Sequence, residues 1–293
     1  MSAPADSPAV DRLSALLDRF RVRTQLFHSG PLCGVTTFDA RPGRGFLHVL
    51  RRGEMRVTHA RIRGATRTLQ LDQPTLLFYP RPLTHEFHNA PVDGSDFTCA
   101  TVDLGGGDRN PLLQALPPVV ALPLARVEGL GPALDLLFAE TDRLRCGSRL
   151  LADRLFEVVL IQLLRWLVDH ADEAGISSGL ITGLADARLA RALVALHESP
   201  GEAWPLERMA AAAGMSRSAF AAAFKVAVGR TPADYLADWR LTLAEGELRK
   251  GRAIKAIADE LGYGSASALS RLFKHKLGAS PRHWLADGTP GAR

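Results

Sequence analysis

Apolar residues in the last third of the chain recur with helical spacing, and they do so twice. In PLERMAAAAG, Leu206, Met209, Ala210 and Ala213 fall at i, i+3, i+4 and i+7, one face of an amphipathic helix that Gly214 stops. Ser216 is then placed to cap a second helix, on which Phe220 and Phe224 lie four residues apart and share a face. Forty-nine residues later the pattern returns, pairing Ser216 with Ser265, Phe220 with Leu269, Phe224 with Phe273, Lys225 with Lys274 and Gly229 with Gly278. Upstream the offset is forty-eight, pairing Leu206 with Ile254, Met209 with Ile257 and Gly214 with Gly262, so Gly264 is an insertion in the second turn. Two copies are too few for a solenoid, which needs about three to close a core. Each copy is instead a pair of helices on a short turn, a helix-turn-helix whose second helix fits a DNA major groove.

Between the copies, PADYLADWRLTLAEGELRKG predicts one long helix, with Pro232 in its first turn, apolar residues at Tyr235, Leu236, Trp239, Leu243 and Leu248, and Gly251 beyond its end. About eighteen helical residues span roughly 27 Å, somewhat less than the ~34 Å of one DNA turn. Such a connector holds two recognition helices in successive major grooves.

Residues 20–125 follow a different pattern, short apolar runs (RTQLF, GFLHVL, EMRVTHARI, TLLFY, FTCATVDL) separated by Gly and Pro, which predicts an antiparallel barrel or sandwich. GPALDLLFAETDRLRC and SRLLADRLFEVVLIQLLRWLVDHADE then predict two helices. The second is apolar around much of its circumference, through Leu151, Leu155, Val158, Val159, Leu163, Trp166 and Leu167. Dimerisation along it and burial against the barrel both account for that pattern. The domains expected are a β-barrel or sandwich domain over 1–125, a helical connector over 126–185 and a tandem helix-turn-helix domain over 186–293.

Charge follows the same division. From Asp186 onward there are sixteen Lys plus Arg against eleven Asp plus Glu, whereas residues 1–185 hold twenty of each, so the whole net charge of +5 lies in the last third. All five lysines are there too, as expected of a surface that meets phosphates. The chain opens with no charged-then-apolar leader, and its longest apolar stretch, FEVVLIQLLRWLV, is interrupted by Gln162 and Arg165, so no membrane span is expected. Three cysteines without CxxC spacing suit a reducing cytoplasm.

The tandem modules, the long connecting helix and the closing GYGSASALSRLFKHKLGASPRHW resemble the DNA-binding domain of AraC/XylS-type transcription regulators. GFLHVLRRGEMRV and QPTLLFYPRPLTHEFHN resemble the paired motifs of a cupin barrel, and DRNPLLQALPPVV is similar to the segment that closes the cupin-like sensor in one branch of that family. The resemblance implies a multidomain protein with an N-terminal antiparallel cupin-like barrel and a C-terminal all-α tandem helix-turn-helix domain. It implies partners as well: double-stranded DNA, RNA polymerase to recruit or block, a small-molecule effector and a second copy of the chain.

Helix geometry nominates the DNA contacts. Opposite the apolar faces lie Arg217, Ser218, Ala221, Ala222 and Lys225 in the first module, and Ala266, Ser267, Ser270, Arg271 and Lys274 in the second. Arg271 suits bidentate contact with guanine, and Ser216 and Ser265 suit phosphate contacts from the helix ends. Ala221 and Ala222 stand where many members of the family carry larger polar residues, which favours thymine-methyl or shape readout by the first helix. In the barrel, His48 and His85 occupy matching motif positions, His88 follows closely and Cys99 lies on the next strand. His48, His85 and Cys99 form a ligand set that suits zinc, or they line a metal-free pocket. Leu50 stands where a second histidine of the cupin motif would fall, and the usual later glutamate is not in place. A non-enzymatic regulator is therefore expected, with a cupin metalloenzyme carrying a regulatory DNA-binding tail as the alternative.

Overall fold

The computed structural model describes residues 10–62, 64, 66–90 and 94–287. Its described residues form two compact units, one of residues 21–108 and 112–177, the other of residues 10–20, 109–111 and 178–287.

The first unit is built on two antiparallel sheets. One has the order β1 (Arg23–Leu32), β8 (Ser95–Asp103), β3 (Gly45–Arg52), β6 (Thr75–Tyr79), β9 (Val120–Pro123); the other runs β2 (Val35–Phe38), β7 (His85–His88), β4 (Met55–His59), β5 (Thr68–Leu71). Strand alternation decides which side chains enter the interior. On β7, His85 and Phe87 are buried while Glu86 and His88 are half-buried on the other face. The interior is filled from both sheets by Phe38, Phe46, Tyr79, Phe87 and Phe97 with smaller aliphatic residues. The short helix α2 (Pro111–Ala115) precedes β9, and two longer helices, α3 (Leu130–Asp142) and α4 (Ser148–Asp169), pack on each other and on β1.

The second unit is helical. The short helix α1 (Ser14–Arg19) buries Leu16, and Phe20 at its end meets Trp239 edge-to-face with ring centroids 5.4 Å apart. Then come α5 (Leu180–Ala185) and α6 (Ala187–Glu198), the latter capped by the Asp186 carboxylate, which accepts from Arg188 N–H and Leu189 N–H. The first repeat is α7 (Leu206–Ala213) and α8 (Arg217–Val228); the connector is α9 (Pro232–Arg249); the second repeat is α10 (Ile254–Glu260) and α11 (Ala266–Leu277), closed by α12 (Pro281–Asp287). Ser216 and Ser265 cap α8 and α11, and the left-handed Gly229 and Gly278 end them, so each half of the duplication carries the same start and stop signals. The second turn also needs glycine for close approach. A Cβ on Gly262 would lie 2.0 Å from the Gly201 carbonyl oxygen.

These units differ from the three spans expected from the sequence in two respects. Residues 10–20, expected in the sensor, cluster with the helices, because Leu13, Leu16 and Phe20 are buried there. The connector helices α3 and α4 belong with the sheets, because α4 buries Leu155, Val159, Leu163, Trp166 and Leu167 and leaves Leu151 and Val158 of the expected apolar set exposed. Among the described residues no helix is long and apolar enough to cross a membrane.

Candidate DNA-binding interface and barrel interior

The two recognition helices present the expected faces. On α8, Arg217, Ser218, Ala222 and Lys225 are exposed and Ala221 is half-buried; on α11, Ser267, Arg271 and Lys274 are exposed. Both cap hydroxyls accept a backbone N–H, from Ala219 to Ser216 at 3.4 Å and from Ala268 to Ser265 at 3.2 Å. Neither bond uses the hydroxyl proton; that of Ser265 stays available for a phosphate oxygen, while the Ser216 hydroxyl also lies 3.5 Å from the Ser218 hydroxyl. Ser270 is different, since it is half-buried and its hydroxyl donates to the Ala266 carbonyl at 2.8 Å.

Ion pairing sorts the cations in a way that counting charge does not. Arg217 pairs with Glu207 at 2.5 Å, and this bond holds the Glu207 carboxyl below its usual value. Lys276 lies 3.0 Å from Asp238, which also takes Arg230 at 2.6 Å, and Arg252 is shared between Glu247 and Glu260. Lys225, Lys255, Arg271, Lys274 and Arg282, in contrast, have no acidic partner among the described residues. Three of these five lie on α8 and α11. The two recognition helices therefore carry three exposed cations without an acidic partner, where a phosphate could meet them.

Inside the barrel, His48 on β3 and His85 on β7 reach across from opposite sheets to a direct Nε2 to Nε2 hydrogen bond of 2.9 Å. The tautomers follow. His85 Nδ1 faces the Leu83 carbonyl at 2.9 Å and must donate to it, so its Nε2 accepts and His48 Nε2–H donates. His48 Nδ1 is left buried without a partner. Burial holds both imidazoles neutral, with His85 lowered to about 4 and His48 also well below its usual value. Tyr79 stacks on His85 at 4.0 Å, and Phe38, Phe46 and Phe87 surround the pair. Cys99 is the direct register partner of His48, so the two share a sheet face; its thiol is buried and pushed up by desolvation. His88 points the other way and contacts the Thr58 hydroxyl at 2.8 Å. Among the described residues no group of three or more His, Cys, Asp or Glu side chains is arranged to hold a metal ion. The facing nitrogens are spent on each other, and zinc does not fit this arrangement of His48, His85 and Cys99.

At one end of the sheets a hollow of about 350 Å³ opens among the loop of Pro42 to Arg44, the loop of Pro80 to Pro82 and Gly105 to Gly107. Arg81 closes one side, anchored by donation to the Leu113 and Leu116 carbonyls. Nothing in the apolar spacing of the strands marks this hollow, because loops make most of its lining and β8 adds only its last two residues, Val102 and Asp103.

Comparison with known proteins gives these features a setting. Residues 11–169 match the Cupin family, and residues 209–287 match a helix-turn-helix domain. An AraC-like transcription regulator of Streptomyces antibioticus is 37% identical over 239 residues, covering 73% of this chain and 78% of the relative. A second, from Streptomyces lividans, is 36% identical over 230 residues, with 70% and 75% covered. The regulator AlkR of Acinetobacter baylyi is 34% identical over 180 residues, with 60% and 58% covered. The relatives are named as regulators rather than enzymes, in line with the tandem modules. With two capped recognition helices, an antiparallel cupin unit and relatives alike over most of its length, the chain belongs to the AraC-type DNA-binding transcription regulators.

Proposed function

We propose that the protein is an effector-responsive regulator in which α11 reads bases and α8 mainly holds the backbone. The observation that carries this is the distribution of unpaired cations, Arg271 and Lys274 on α11 and Lys225 on α8, with Arg217 of α8 tied to Glu207. Arg271 sits one turn into α11, where a guanidinium reaches guanine O6 and N7, while Ser216, Ser218, Ser265 and Ser267 contribute hydroxyls along the backbone and the Ser270 hydroxyl stays on the Ala266 carbonyl. A binding selection from random duplexes, followed by salt titration on the selected site, tests it. The expected result is a defined sequence bound with an affinity that falls steeply with salt; salt-independent binding, or none, overturns it.

The effector is assigned to the barrel. The hollow of about 350 Å³ at the loop end is within the range of small-molecule sites, roughly 300–1,000 Å³, and brings Arg44, Arg81 and Asp103 to its wall. Self-association is assigned to the exposed apolar residues Leu144, Leu150, Leu151 and Val158 around the start of α4. Two copies meeting there place two helical units on one operator, beside RNA polymerase. Sedimentation of wild type and Leu150→Glu protein tests this contact, with a dimer expected for the first and a monomer for the second.

A further inference from the structure

The first helix-turn-helix module carries a hollow of its own, of about 480 Å³, between α7, α8 and the start of α9. Its floor is Ala221 and Ala222, and the space exists because these side chains stop at Cβ. Leu206 and Met209 form one wall and Pro232 the other. Trp204 closes an end and is held in place, its indole N–H donating to the Ser199 carbonyl at 2.8 Å while the Arg208 guanidinium lies 4.1 Å from its ring centroid.

The polar groups of the lining are few and distinct. Thr231 is committed, its hydroxyl donating to Asp234 at 2.7 Å and accepting the Asp234 N–H. Lys225 is not committed, having no acidic partner among the described residues. An apolar hollow with a prearranged wall and one free ammonium is complementary to an apolar body bearing one negative charge. A thymine methyl, the largest apolar group that a duplex offers in its major groove, fills only a small part of it.

We propose that this hollow binds a small amphipathic carboxylate, an alkyl or aryl acid whose apolar body lies over Ala221 and Ala222 and whose carboxylate pairs with Lys225. The ligand takes the cation that the preceding reading gives to phosphate and covers the exposed face of α8. Ligand and DNA therefore compete for the first module, a second input separate from the barrel.

Calorimetric titration of the full-length protein with decanoate, and with decanol as the uncharged control, tests the site. Saturable decanoate binding is expected, with decanol weaker. Ala222→Leu, which fills the floor from an exposed position, and Lys225→Gln, which removes the charge, should each weaken decanoate by at least about tenfold while thermal unfolding stays cooperative. No saturable binding, or binding that both variants leave unchanged, overturns the proposal. Decanoate should also weaken binding to a selected operator. A protein that bound decanoate in this variant-sensitive way but bound no duplex would refute the DNA reading and leave the hollow standing.

Discussion

The two helix-turn-helix modules share their punctuation and differ in nearly everything placed between the marks. Serine starts each recognition helix and a left-handed glycine ends it, and in each the pair spaced by four on the inner face (Phe220 and Phe224, Leu269 and Phe273) is fully buried. The first module sits in a thick core. Phe224 packs against Phe220 and edge-to-face on Tyr235, which is bonded to buried His197, which in turn lies 4.4 Å from Trp239. The second is thinner, with Phe273 meeting, among the aromatic rings of the described residues, only the half-buried Trp284, at 6.0 Å. Their outer faces are reversed in richness: α8 shows alanines, a paired Arg217 and a free Lys225, α11 a free Arg271 and Lys274. On the proposed function, the duplicated scaffold has diverged into one module that anchors and one that reads.

Core substitutions probe that contrast most strongly. Phe224→Ala should cost about 3–5 kcal/mol, the usual range for emptying a fully buried aromatic site, and Phe273→Ala should fall at the low end because Trp284 can settle into the space. Urea unfolding followed by tryptophan fluorescence measures both. Equal losses would mean that the second module is as tightly bound into the fold as the first.

Acid should separate the modules by a few kcal/mol. His197 is fully buried and lowered by desolvation to about 3, whereas His275 of α11 is exposed. A folded value below the unfolded 6.5 means that the unfolded chain takes up the proton first. The stabilisation is thus complete above about pH 6.5 and is lost as pH falls toward 3, at up to ~1.4 kcal/mol per pH unit. His197→Gln should flatten that slope. Melting temperatures between pH 7 and pH 4 provide the check.

Much of this comparison was legible in the sequence because it rests on local signals. Caps at Ser216 and Ser265, stops at Gly229 and Gly278, and a helix begun by Pro232 are decided within a few residues, and the structure has all of them. What depends on distant partners was not legible. The apolar girth of α4 fits dimerisation and burial equally well until α3 and β1 are seen to cover most of it. Nothing in the spacing of residues 10–20 assigns Leu16 and Phe20 to the helical unit. In the barrel, alternation puts His48 and His85 inside, but only the facing of two sheets brings their Nε2 atoms to 2.9 Å from each other. The sum of charge located the DNA-binding third, yet ion pairing decides which cations are free, and pairs such as Arg217 with Glu207 span elements that composition does not connect.

Base readout should sharpen the contrast at the next level of energy. Arg271→Ala should cost about 1–3 kcal/mol at the selected site and relax preference at one position, because a bidentate guanine contact is lost. Arg217→Ala, at the corresponding end of α8, should cost under about 1 kcal/mol, since Arg217 must first leave Glu207. Equilibrium binding to specific and random duplexes separates the two. A loss for Arg271→Ala that is the same on both DNAs would remove base reading from the second module.

The smallest effect is the one that tests whether free charge is the right criterion. Each lysine that neutralises a phosphate contributes about one unit to the slope of log affinity against log salt. Lys274→Ala and Lys225→Ala should therefore each lower that slope by about one on specific and random DNA alike, one from each module. Lys276 stands two residues beyond Lys274 on the same helix but is held 3.0 Å from Asp238, so removing it releases a carboxylate more than it releases counterions. Lys276→Ala should leave the slope nearly unchanged. If all three lysines lowered it equally, ion pairing in the free protein would not govern which cations meet DNA, and the division of labour between α8 and α11 would have to rest on base contacts alone.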